Sequence, residues 1–154
     1  GDTENDKQDF KKSNAVITPK SKAPELVGKT VEAAKNELLN TGIANVTLGK
    51  GNKVIRQYPP KSTIMNSGQR IYLLTEESNT MEIPDLKGES LRDALQVLTL
   101  MKLTVNVEGE GYVTEQKVVE AQGKRTVQLT LKPANTLVDD TDDTVQEDKN
   151  NETE

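Results

Sequence analysis

"IPDLKGESLRDALQVL", Ile83 to Leu98, restates a phrase that the chain has already written as "APELVGKTVEAAKNEL", Ala23 to Leu38. Pro24, Leu26, Gly28, Ala34 and Leu38 of the first phrase return as Pro84, Leu86, Gly88, Ala94 and Leu98 of the second. A duplicated catalytic half would copy reactive side chains, whereas a duplicated module need copy only what folds it. The shared residues are of the second kind. Each Pro keeps the lead-in extended, each Gly permits a turn, and Thr30 or Ser90 supplies a hydroxyl N-cap. In copy one Val31, Ala34 and Leu38 then share a helical face, with Gly42 as the stop. Copy two has Leu91, Ala94, Leu95, Leu98 and Met101, with Asp93 three residues after Ser90 in the reciprocal capping arrangement.

Beyond each helix the apolar period drops from 3.6 to 2. Ala44, Val46 and Leu48 alternate with polar residues in copy one, as Leu103, Val105 and Val107 do in copy two, which predicts a strand in each. Gly49-Lys50-Gly51 or Gly109-Glu110-Gly111 then signals a turn. A second extended run follows (Val54 to Tyr58; Val113 to Val119) and then a last strand (Ile71 to Leu74; Val127, Leu129 and Leu131). The expected fold is α+β: two small repeats, each with one helix packed on a three-stranded antiparallel sheet. Repeat 1 is placed at 23–75 and a shortened repeat 2 at 83–131, with a linker at 76–82.

The copies differ in two places. Copy one reads Gln57-Tyr58-Pro59-Pro60-Lys61-Ser62 and then loops to Gly68, whereas copy two reads Gln116-Lys117-Val118-Val119 and reaches its last strand sooner. Helix two also carries apolar residues on two sides, since Val97 and Leu100 lie off the face of Leu91, Leu95 and Leu98. That pattern predicts a helix buried on two sides, with Val97 and Leu100 packing against repeat 1.

The chain of 154 residues has no Cys and no His, so it lacks thiol nucleophiles, imidazole bases and the commonest soft metal ligands. "VGKT" at Val27 to Thr30 is similar to the end of a phosphate-binding loop, but Ala23 stands where that loop needs Gly, so the stretch reads as a helix start. Gly49-x-Gly51 lacks the third Gly of a dinucleotide fingerprint. The acidic run at Asp139 to Asp143 misses the Gly and the closing carboxylate of a calcium loop. No metal, cofactor or catalytic site is expected, nor is a nucleic-acid partner for an acidic chain with three Tyr and one Phe. Residues 133–154 hold about seven net negative charges with few apolar residues, and 132–154 reads as a disordered acidic tail. Residues 1–22 read as a flexible linker from an upstream domain.

The order Pro-x-Leu-x-Gly, amphipathic helix, Gly-x-Gly, Val-x-x-Gln and alternating strand, written twice, resembles the PASTA module. That resemblance implies a noncatalytic module outside the membrane of a Gram-positive bacterium, found on high-molecular-weight penicillin-binding proteins or on Ser/Thr kinases. It implies weak recognition of peptidoglycan or its stem peptides. With two repeats and a polar tail, the expected parent is a membrane-anchored peptidoglycan transpeptidase of septal wall synthesis and cell division. Its transpeptidase domain and division proteins would be the partners. The alternatives are a pedestal or protein-docking element without ligand, and the sensor region of a kinase. A ligand site, if present, is expected near Arg56, Gln57, Tyr58 and Arg70, which supply donors and an aromatic face. Copy one keeps Gln57 and Pro59 of the family's Gln-x-Pro, and copy two keeps only Gln116.

Overall fold

The computed structural model describes residues 21–134. Both expected helices form. Helix α1 spans Val31–Leu39 and α2 spans Leu91–Leu100. The Thr30 hydroxyl accepts from the Ala33 amide and the Ser90 hydroxyl from the Asp93 amide, each satisfying one free donor of the first turn. Asp93 does not return the second half of the capping box. Its carboxylate is turned outward to a tyrosine of copy one, described below.

The strands of copy one are β1 (Ser21–Lys22), β2 (Asn45–Leu48), β3 (Arg56–Tyr58), β4 (Ile64–Met65) and β5 (Ile71–Leu74). Copy two contributes β6 (Thr104–Gly109), β7 (Tyr112–Ala121) and β8 (Lys124–Lys132). Ser21 and Lys22, which composition places in the leading linker, pair antiparallel with β4. Lys132, expected to open the acidic tail, instead ends β8, and the rest of the expected disordered stretches, 1–20 and 135–154, lies outside the described residues.

Each copy is α+β, one helix on a three-stranded sheet, but the sheets are mixed instead of wholly antiparallel. The last strand is central: the orders are β2-β5-β3 and β6-β8-β7. The chain reverses at the Gly-x-Gly turn and again before the last strand, which therefore runs with the first strand and against the second. Inserted between them, it pairs parallel with β2 or β6 and antiparallel with β3 or β7. Local alternation is the same for both pairings, so it carries no information on direction.

The Gly-x-Gly turns tuck beneath the end of the central strand. A Cβ on Gly51 would stand 2.1 Å from the Thr75 carbonyl oxygen, and one on Gly111 the same distance from that of Lys132. Where copy one has its Pro-containing loop, copy two closes β7 onto β8 with Gln122-Gly123, both at positive φ (55° and 73°). This is the two-residue hairpin turn whose twist suits the flanking strands.

Four consecutive apolar residues in β5 are all buried, and they divide between two cores. Ile71 and Leu73 join Leu26, Ala34, Leu38 and Val54 beneath α1. Tyr72 and Leu74 face the other way, joining Leu48 to Met81, Leu86, Ala94, Val97, Leu98, Val127 and Leu129 in one continuous cluster. Strand β8 instead alternates, with Val127, Leu129 and Leu131 buried and Gln128 exposed. Sheet one is thus covered on both faces, sheet two on one. The α2 helix packs on β3 of copy one and on β6 and β7 of copy two, so its two apolar sides have two different sheets to meet. Val97 is fully buried in the shared cluster, and Leu100 packs at its margin.

Candidate functional site

Strand β3 places Arg56, Gln57 and Tyr58 in succession, so their side chains alternate between faces. Gln57 turns inward. Its Oε1 accepts from the Leu26 amide at 2.7 Å, and its Nε2 donates to the Pro24 and Pro59 carbonyls at 2.8 and 3.0 Å. Gln116 makes the same clamp in copy two, accepting from the Leu86 amide at 2.7 Å and donating to the Pro84 carbonyl at 2.9 Å. The repeated Gln therefore holds the repeated Pro-x-Leu, where backbone groups have no ladder partner. Gln116→Leu strands a backbone donor and an acceptor, and should cost about 1–3 kcal/mol for each group left unsatisfied. Urea unfolding measures this; a loss below about 0.5 kcal/mol would show that the clamp is dispensable.

The other three residues reach out of their own repeat. Tyr58 donates its hydroxyl to Asp93 Oδ1 of α2 at 2.7 Å. Arg70, from the turn before β5, donates through Nε and Nη2 to Glu89 Oε2 and through Nη2 to the Asp85 carbonyl. The Tyr72 hydroxyl donates to the same Glu89 oxygen at 2.8 Å, and the Arg70 guanidinium lies 5.4 Å from the Tyr72 ring centre. Arg56 pairs with Glu77 of the linker, which also takes Lys102 of copy two at 2.9 Å. Lys102 and Arg56 hold the exposed Glu77 carboxyl below its ordinary range. Gln57 is thus a clamp inside copy one, Arg56 faces the linker, and Tyr58 and Arg70 bind copy two. The structure brings them to a seam between the repeats, not to one open face.

The sequence reading gives the seam residues Tyr72 and Glu89 no role, and Asp93 only that of a helix cap. Two signals were present. A Tyr within the apolar run of β5 needs a partner for its hydroxyl once buried, and Glu89 stands where copy one has Lys29.

Burial, then the bond and charge of Asp93, push the Tyr58 phenol up to about 12, and burial, then the bond and charge of Glu89, raise Tyr72 further. Both phenols keep their protons more tightly in the folded than in the unfolded chain. The Tyr58 contribution is complete below about pH 10 and is lost as pH rises through 12, and that of Tyr72 persists to higher pH. Thermal stability should accordingly fall across that window, and Tyr58→Phe should flatten the fall. An identical alkaline profile for the variant would remove Tyr58 from the seam's energetics.

Among the described residues no helix is long and apolar enough to cross a membrane, and no three acidic side chains gather as metal ligands. The seam can hold two modules together and bind at its margins; it has no nucleophile paired with a base.

The family model of the PASTA domain matches the chain twice, at residues 21–77 and 81–146. Among solved structures, the chain is similar to penicillin-binding protein 2X from Streptococcus thermophilus, with 21% identity and a TM-score of 0.59 over 74% of this chain and 17% of that one. It is also similar to the three-PASTA-domain region of a Ser/Thr kinase from Staphylococcus aureus, with 16% identity and a TM-score of 0.28 over 71% of this chain and 66% of that one. The chain therefore spans less than a fifth of the first of these proteins and just under two thirds of the second. No curated protein matches it in sequence.

Proposed function

Because this chain belongs to the PASTA domain family, matched over both of its copies, we propose that it is a peptidoglycan-recognition and positioning module of a penicillin-binding transpeptidase. PASTA domains are noncatalytic, and on penicillin-binding proteins and kinases they bind peptidoglycan. The observation that carries the reading is the twofold family match on a pair of repeats that share one apolar cluster and a polar seam. Such a pair suits a module that holds a catalytic domain at a fixed attitude to the wall.

The transpeptidase setting draws support from the likeness of fold, over 74% of this chain, to the streptococcal penicillin-binding protein. The finer reading proposed is a parent similar to staphylococcal penicillin-binding protein 1. The proposed place of action is the outer face of the plasma membrane in a Gram-positive wall, in septal synthesis and division. A parent transpeptidase would show Ser-x-x-Lys and Lys-Thr-Gly upstream, whereas a kinase sensor would show a catalytic loop followed by an apolar span.

Sedimentation with purified insoluble peptidoglycan tests recognition. The chain should be retained above an unrelated acidic protein of equal size, and equal retention would count against the proposal. The internal engagement of Arg56, Gln57, Tyr58 and Arg70 favours a second reading, a pedestal that docks protein partners without any wall ligand. Unimpaired division after deletion of the pair would reject that one.

A further inference from the structure

We propose that the trough between β2 and the linker takes an extended segment of a partner protein as a fourth strand of sheet one, the segment carrying alternate β-branched residues and a basic side chain. This goes beyond wall recognition and does not depend on it. The trough has a volume of about 660 Å³, with Val46 to Lys50 in unbroken succession on one side and Thr80 to Pro84 on the other. Successive residues of a strand line a cavity together only along its edge, because on either face they would alternate. Strand β2 is such an edge, since the sheet order is β2-β5-β3.

The backbone of that edge is unpaired. The Ile71 amide donates to the Ala44 carbonyl and the Thr75 amide to that of Leu48, so Ala44, Val46 and Leu48 turn their backbone groups toward β5. In this parallel pair every second residue does so, which leaves the N–H and C=O of Asn45 and Thr47 directed into the trough. From Ser78 to Pro84 no backbone bond of the facing wall crosses to β2. A row of free donors and acceptors at strand spacing is a template for one more strand. The floor is apolar: Leu48 and Met81 are buried in the shared cluster, and Val46 and Ile83 pack against it. β-Branched side chains at alternate positions of the incoming strand extend that cluster. The rim is acidic, with Glu76 and Glu82 against Lys50, and Glu76 already accepts from the Lys50 amide. Glu82 is exposed and makes no ion pair among the described residues. A basic side chain on the incoming strand complements it, and an acidic one is repelled.

The test pans random heptapeptides displayed on phage against the full chain. Enriched sequences should carry Val, Ile or Thr at alternate positions with a Lys or Arg among them. Titrated as a free peptide into amide-labelled chain, the most enriched sequence should shift Asn45 to Leu48 and Thr80 to Ile83, and slow hydrogen exchange at the Asn45 and Thr47 amides. N-methylation at alternate peptide residues should weaken binding about tenfold at one parity and leave it nearly unchanged at the other, as for a strand whose bonds go to one side. Thr47→Pro, which removes an outward donor and no ladder bond, should abolish binding, and the N-methyl series keeps the test independent of whether that variant folds. Glu82→Lys should weaken a basic peptide by about fivefold, while Glu120→Gln, on β7, should change nothing. No enrichment, equal effects of N-methylation at both parities, or shifts confined to other surfaces would overturn the site. Asn45 and Thr47 amides already protected in the chain alone would also overturn it, by showing that the chain's own leading segment or a second copy fills the edge. Retention by insoluble peptidoglycan is read separately: its loss ends the wall reading and leaves the trough standing, and failed peptide binding ends the trough alone.

Discussion

Val97→Asp should separate the two repeats and unfold copy two. Val97 is fully buried at the level of α2 where residues of both sheets meet, and no cation in the shared cluster would pair with a carboxylate there. An uncompensated charge in such a site costs about 3–5 kcal/mol or more, against a total stability of about 5–15 kcal/mol for a typical domain. Leu100→Glu, at the margin of the cluster, should lower the melting temperature by less, because its side chain can reach water. Thr99→Asp, exposed on the same helix, serves as the control and should be nearly neutral. Comparable melts for all three variants would contradict the shared core.

Gly51→Ala should be the most damaging of the glycine substitutions in copy one. Its Cβ would meet the Thr75 carbonyl oxygen at 2.1 Å, and that backbone is fixed. The Thr75 amide donates to the Leu48 carbonyl, and the Thr75 hydroxyl donates to Leu48 while accepting from the Gly51 amide. Neither side of the clash can give way without losing buried bonds, so a cost of about 3 kcal/mol, the upper end of overpacking, is expected. Gly28→Ala is the contrast. Gly28 has φ of 95° but open space around its Cβ position, so only left-handed backbone strain of about 1–2 kcal/mol applies. Urea midpoints of the two variants should therefore fall in that order, and the reverse order would show that turn conformation outweighs close approach.

The contrast explains what the sequence could reveal about this fold. Positions that act through local conformation were legible: Thr30 and Ser90 cap the helices, Gly49-x-Gly51 turns, and Ile71–Leu74 forms the last strand of copy one as expected. Direction of pairing was not, because β2 and β6 alternate identically whether their neighbour runs with or against them. The unbroken apolar run of β5 held further information. Four apolar residues in a strand, with no polar alternation, mark burial on both faces, and the second face belongs to copy two. Asp93 shows the opposite limit. A capping box is read from spacing alone, yet a long-range partner, Tyr58, takes the carboxylate. The same holds for the candidate ligand residues, since Gln57 and Gln116 recur for a clamp thirty-odd residues away in sequence, which spacing does not disclose.

The seam gives the pair its functional character. Tyr58 to Asp93, Tyr72 and Arg70 to Glu89, and Arg56 and Lys102 to Glu77 join the copies by polar bonds at their margin. The exposed ion pairs contribute little alone, and the burial of Tyr72, Leu74, Val97 and Leu98 contributes most, at about 1.5–3 kcal/mol for each fully buried side chain. Polar bonds at a fixed geometry set the angle; the apolar cluster supplies the affinity.

Differential scanning calorimetry of the full chain tests the joined pair most directly. One transition is expected, with calorimetric and van't Hoff enthalpies equal, because the cluster beneath α2 belongs to both repeats. Two separable transitions, each assignable to one repeat, would contradict it.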